Sequence, residues 1–221
     1  MKNYILIGLA TLLLTSCAQQ ITRGEQYAKM YEEKPLTIAV MPPINQTNHV
    51  EAKDYFYTTL YAPLCEKGYY VYSPMMTMEM FQSESAYDAE QFIESDLSQF
   101  RKVLGADAAM FTIIKSWKRN KVGAKITVGV EYLLRSTKTG ETLYKREGLI
   151  NVDTSVNTGG GLLVNLAASA IKTAVTDKVV AGRVCTVFVL SDMPEGKYGT
   201  LSDKDQKLKA GKSYIKATVK G

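Results

Sequence analysis

The chain has 221 residues, 46% of them hydrophobic and 22% charged, with a formal net charge of +5. This is the composition of a globular protein with one sizeable core, and it excludes a disordered polar chain. The positive excess is too mild to mark a nucleic-acid binder, and it favours anionic polymers or lipid headgroups only weakly.

In chain order the first signal is Met1 to Cys17. Lys2 precedes an apolar run from Ile5 to Leu14, too short for a membrane span, which needs about twenty residues. Leu14-Thr15-Ser16-Cys17 then looks like a bacterial lipobox, in which small residues precede a cysteine that is lipidated and becomes the new first residue. The expectation is a signal peptide over 1–16, lipidation at Cys17, and a lipidated tether over 17–34 with a short helical turn around Gln26–Tyr31. Ala18, rather than Asp, after the cysteine points to the outer membrane with the domain facing the periplasm. Removing 1–16 takes away one basic residue and leaves 26 against 22 acidic ones, a net charge of +4. Cys65 and Cys185 remain, and two readings stand for them: a bridge in an oxidising envelope, or two buried thiols.

Leu36 to Met41 is a nearly continuous apolar run stopped by Pro42-Pro43, the pattern of a buried central strand. After the polar loop 45–48, Asn48 and Glu51 have capping-box spacing and predict a helix to about Lys67. Its apolar side is Tyr57, Leu60, Tyr61 and Leu64, with a bend at Pro63 and a left-handed cap at Gly68. Tyr69–Tyr72 reads as a second strand. Met75, Met76, Met78 and Met80 belong to a short helix; their spacing matches no copper site, and Met is a common core filler. Asp88 with Gln91 predicts a cap for one helix through Phe92, Leu97, Phe100 and Leu104.

Ala108–Trp117 is an apolar strand, and 124–134 is a long alternating strand, with Ala124, Ile126, Val128, Val130, Tyr132 and Leu134 on one face and Lys125, Thr127 and Glu131 on the other. Lys138-Thr139-Gly140-Glu141 is a hairpin turn, so the three strands from Ala108 to Asn151 form an antiparallel meander. Gly159-Gly160-Gly161 lacks the Lys-Ser/Thr of a phosphate loop and reads as a hinge before an apolar helix. That helix is apolar over most of its circumference. Leu162, Leu163, Leu166 and Ala170 are therefore the candidate partner contact, with burial inside the monomer as the other reading. Val184–Leu190 suits either a strand or a continuation of this helix. The tail over 201–221 carries six lysines and is either an edge strand or loose.

Pro42-Pro43-Ile44-Asn45, Cys65 to Val71, Leu104 to Ala108, Lys138 to Glu141 and Gly159 to Leu163 stand in an order that resembles a bacterial lipoprotein family. That family includes a meningococcal vaccine-candidate lipoprotein and is similar in fold to the TolB N-terminal domain. The resemblance covers roughly residues 36–190. It implies a single α/β domain: strand-helix-strand-helix, then a three-strand antiparallel meander and a C-terminal helix packed on the sheet. The domain spans 35–200, leaving 201–221 as a lysine-rich tail. The resemblance also implies an accessory role in envelope transport, near a curli-secretion-type lipoprotein or a transporter component, and it brings no catalytic motif. The family's Pro-Gly-rich close reads here as Met193 to Gly199, a departure from its pattern.

Function thus reads as a non-enzymatic, lipid-anchored interaction subunit that binds other envelope proteins or a second copy of itself, with no cofactor, no metal and no nucleic acid. The alternative is a periplasmic module that binds a small ligand or glycan through Tyr55, Tyr57, Tyr61, Tyr69, Tyr70 and Tyr72. His49, the one histidine, reads as a solvated residue near a helix start.

Overall fold

A computed structural model describes residues 20–83, 89–120, 125–153 and 174–220. In chain order the elements are α1 (Arg23–Gln26), α2 (Ala28–Glu33), β1 (Thr37–Val40), β2 (Ile44–Asn45), α3 (Ala52–Thr59), α4 (Tyr61–Glu66), β3 (Tyr70–Val71), α5 (Pro74–Ser83), α6 (Ser98–Leu104), β4 (Ala108–Asn120), β5 (Lys125–Ser136), β6 (Thr142–Asp153), α7 (Ala174–Val189) and β7 (Tyr214–Lys220). Short 3-10 turns lie at Ala89–Phe92, Leu190–Asp192 and Asp205–Lys207.

Seven strands form one sheet in the order β3-β1-β4-β5-β6-β7, with β2 also paired to β4. β4, β5 and β6 are the expected antiparallel meander, while β1 runs parallel to both β3 and β4. Ile38, Ala39 and Val40 of β1 are fully buried, as a central parallel strand covered on both faces requires. Pro42 and Pro43 cannot donate to the ladder, so pairing stops and resumes at Ile44 against Ile113. Asp107 sets where β1 begins: its carboxylate accepts from the N–H groups of Leu36 and Thr37 at 3.0 and 3.1 Å. Burial works to raise that carboxyl, but these donors, the Thr37 hydroxyl and the Arg101 charge hold it below the ordinary aspartate value.

The two faces of the sheet differ. On one, Val40, Met110, Val128, Val130, Tyr132 and Ile150 pack against Phe56, Leu60 and Leu64 of α3 and α4 and against Ala181, Cys185 and Val189 of α7. A buried hydroxyl chain ties these layers together: Tyr132 meets Thr186 at 2.7 Å, Thr186 meets Thr59 at 3.1 Å, and the chain ends on the carbonyls of Phe56 and Gly182. On the other face, Ala109, Phe111, Ile113 and Leu133 are capped by Phe81 and Leu97. Farther along β5 and β6 that face carries an ionic lattice, in which Lys115 reaches Glu131 and Glu147 at 2.7 Å and Lys145 reaches Glu131 at 3.1 Å.

Several expectations are corrected. The helix after the first strand opens at Ala52 with no side-chain cap, because the Glu51 carboxylate accepts from the Tyr55 hydroxyl instead. It breaks at Leu60, where Pro63 has no N–H to return to Thr59. Gly68 does take the left-handed conformation at φ 83°, and a Cβ there would strike the backbone of Gly199. The span 92–104 is not one helix, for a reason given below. Residues 184–189 complete α7, so the strand reading of that run is set aside. Core packing overrides the weak helix propensity of its valines.

The stretch expected as a tether is folded from Thr22, whose hydroxyl and Glu25 form a capping box for α1. Tyr27 and Met30 lie in the main core. The tail is equally ordered: β7 is an edge strand running parallel to β6. Two buried aspartates hold both segments. Asp192 accepts from Arg23 Nε at 3.1 Å, the Tyr27 hydroxyl at 2.7 Å and Gly211 N at 2.7 Å. Asp205 accepts from the Tyr31 hydroxyl at 2.9 Å and Glu195 N at 3.0 Å, with Arg23 Nη1 at 3.5 Å. Burial, more than the neighbouring Tyr144 or Asp192, pushes the Tyr27 hydroxyl well above its ordinary pKa. Both described cysteines under question are free, Cys65 half-buried and Cys185 buried. No described helix is long and apolar enough to cross a membrane.

Candidate functional site: an apolar cleft between α5 and α6

The capped half of the divided face is not closed completely. Met80 and Phe81 of α5, Phe92 of the 3-10 turn, and Phe100, Val103 and Leu104 of α6 wall a cleft of about 260 Å³. The three phenylalanines form a triangle with ring centroids 5.3 to 5.5 Å apart, and Phe92 meets Phe100 edge to face at 82°. Thr77, Ser95, Asp96 and Gln99 complete the lining. Val103 is 68% exposed, so the wall stands open to solvent.

A local break in the chain makes this recess. Arg135 of β5 points its guanidinium at the carbonyls of Ile93 and Ser95, at 2.6 and 3.1 Å, and also holds Gly140 O at 2.8 Å. With these carbonyls turned to Arg135, the chain between the 3-10 turn at Ala89–Phe92 and α6 at Ser98 is not helical. Asp96 then restarts the chain: its carboxylate accepts from Ser98 N at 2.9 Å and from the Ser98 hydroxyl at 2.6 Å, opening α6. Those bonds hold Asp96 below the ordinary aspartate pKa and keep it ionised at the rim. At the far end Gly105, at φ 69°, terminates α6 and the Tyr72 hydroxyl donates to Leu104 O.

A cleft of this size is smaller than the roughly 300–1,000 Å³ of drug-sized ligand sites. It has room for one or two apolar side chains. Its polar lining is engaged locally: the Thr77 and Ser95 hydroxyls donate to Ser73 O and Phe92 O, and Asp96 accepts from Ser98. The tyrosines singled out for glycan binding do not gather around one cavity. Tyr57 and Tyr69 are buried with hydroxyls on Pro74 O and Pro194 O, and Tyr55 lies against Trp117, while Tyr61 and Tyr70 stand in solvent. His49 is exposed, its carbonyl accepting from Asn45 Nδ2 at 2.7 Å. Cys185 is fully buried, and burial pushes its thiol far above its ordinary pKa.

Cys17, Leu162, Leu163, Leu166 and Ala170 lie outside the described residues. The described part of the same apolar run, α7, turns Ala181, Cys185 and Val189 onto the sheet. The phenylalanine cleft was missed by sequence reading, which placed Phe92 and Phe100 on one continuous helix. The Ser95-Asp96-x-Ser98 turn signal is the feature that could have revealed the break.

The molecule is thus a single α/β domain that presents an apolar recess between α5 and α6. The chain belongs to the family described as "Putative lipoprotein GNA1162-like", whose model matches residues 25–189. A curated relative, the lipoprotein NMB1124/NMB1162 of Neisseria meningitidis serogroup B, is 25% identical over 182 residues, covering 80% of this chain and 85% of the relative. The crystal structure of lipoprotein GNA1162 from Neisseria meningitidis superposes with a TM-score of 0.51 at 23% identity, over 66% of this chain and 99% of that one. That likeness supports the α/β fold expected from the sequence. A looser one, with a TM-score of 0.41 and 13% identity over 74% of this chain and 91% of the other, is to the PelC dodecamer from Paraburkholderia phytofirmans.

Proposed function

We propose that the protein is a lipid-anchored, non-enzymatic accessory subunit of an envelope transport or secretion assembly. In this reading Cys17 carries the lipid, the outer membrane is the anchoring membrane, and the domain faces the periplasm. The observation that carries the interaction role is the Phe81–Phe92–Phe100 cleft with the exposed Val103 on its wall. Recesses of this kind take an apolar anchor residue from a partner protein, and a few such residues supply most of the binding energy of an interface. The run Leu162, Leu163, Leu166 and Ala170 is proposed as a second contact, for a partner or another copy.

Site-specific photo-cross-linking in native membranes tests this. A photoreactive residue at position 103 is expected to give one discrete adduct with an envelope protein, identified by mass spectrometry. Filling the recess with Gln99→Trp should abolish it, and a probe at the exposed Lys118 should give none. Identical adducts from positions 103 and 118, or no adduct at 103, would overturn the reading.

A further inference from the structure

The start of the described chain is pinned to the lysine-rich tail. Thr22 and Lys209 form an antiparallel bridge, Ala210 N donates to Ile21 O at 2.9 Å, and Arg23 N donates to Leu208 O at 2.8 Å. Arg23 in turn reaches Asp192 and Asp205, so this junction is tied to the body of the domain. Lys204, Lys207, Lys209, Lys212 and Lys216 are all exposed, and among the described residues none of the five is ion-paired. The acids of the same stretch are engaged elsewhere: Asp205 is buried in the aspartate cluster and Asp203 holds Lys34 at 2.9 Å. Beside the lysines, Ile21 is 56% and Leu208 45% exposed.

Cys17 precedes Ile21 by four residues, a reach of about 14 Å even when fully extended. A lipid on that cysteine leaves the lysines little distance from the bilayer, comparable with the Debye length of about 10 Å. A tether this short cannot let the domain hang free of the surface. We propose that Lys207, Lys209 and Lys212, with Ile21 and Leu208, form a membrane-docking face that lays the domain on anionic lipid headgroups. The geometry rests on the reading of Cys17 as the lipidated residue; the chemistry of the face does not. Lysines beside an anionic surface strengthen partitioning about fivefold each, and the two apolar side chains add an interfacial foothold.

The test uses the mature chain, residues 17–221, which holds every described residue, with Cys17→Ser to remove the anchor. Its co-sedimentation is measured at low salt with vesicles of phosphatidylcholine alone and with vesicles containing phosphatidylglycerol. Binding is expected only to the anionic vesicles, to be lost as salt rises, and to fall at least about a hundredfold in K207E/K209E/K212E. The control K102E/K118E/K138E, with the same change in net charge at other exposed lysines, should bind like its parent. Equal binding to both vesicle types, no binding to either, or equal losses in the two triple variants would overturn the inference. The lipid on wild-type Cys17 is read separately from the mass of the chain extracted from membranes. A bare Cys17 would sink the anchor and leave the sedimentation result to decide the face on its own.

Discussion

The two faces of the sheet are built from the same strands yet meet different surroundings. Even-numbered residues of β5, Ile126 to Leu134, enter a continuous apolar core beneath α3, α4 and α7. Their odd-numbered neighbours divide: Leu133 lies under α5 and α6, whereas Glu131 sits in a lattice of lysines. Period-2 alternation permits both, because each side chain answers only to its own face. The covered face therefore holds the stability, while the divided face is free to keep an open recess. The difference teaches that an apolar cleft can persist here because the core on the opposite side does not depend on it.

The harshest test of that division is a cavity on the covered face. Phe56 is fully buried and meets Trp117 edge to face at 5.9 Å. Phe56→Ala should cost about 3–5 kcal/mol in urea unfolding, with cross-linking at position 103 retained wherever the variant is folded. A loss of the cross-link in folded protein would show that the two faces are coupled. Next comes the junction of the terminal segments. Asp205→Ala leaves Arg23, Tyr31 and Glu195 N without their shared acceptor. It should cost about 3 kcal/mol, and native-state hydrogen exchange should open α1 and the tail before the meander.

On the divided face the effects shrink. Burial works to raise the Glu131 carboxyl, but hydrogen bonds and charge from Lys115 and Lys145 outweigh it and hold the pKa below the ordinary value. A depressed carboxylate contributes stability above its unfolded pKa of about 4.3 and loses it as pH falls through the lower folded value. Glu131→Gln should thus cost about 1–2 kcal/mol near neutrality, and its stability gap from wild type should close in the acid limb. A gap independent of pH would reassign the loss to packing. Smallest, and opposite in sign, is Thr112, a fully buried residue whose hydroxyl has no partner among the described residues. Thr112→Val should gain about 1 kcal/mol; a loss would mean that the hydroxyl is satisfied by a bound water.

Legibility followed the range of the interactions. The meander, β1 with its Pro42-Pro43 stop and the Gly68 turn were readable because alternation and turn chemistry act over a few residues. The cleft was not, since it depends on Arg135 taking the carbonyl of Ile93, 42 positions away in the chain. The same holds for the tether and the tail, whose order rests on Arg23 reaching Asp192 across 169 positions. Neither end has a hydrophobic period strong enough to announce a fold, and buried ionic contacts leave no periodic trace.

By itself, then, the sequence determined the strand alternation, the turns and the single α/β domain, all of which are written in contiguous residues. Only the tertiary structure decided where the helix over 92–104 breaks, that both terminal segments join the core, and which lysines stand beside the residues that follow Cys17. Those outcomes come from side chains whose partners lie far along the chain, and they exist only once folding has met the entropy cost of bringing them together.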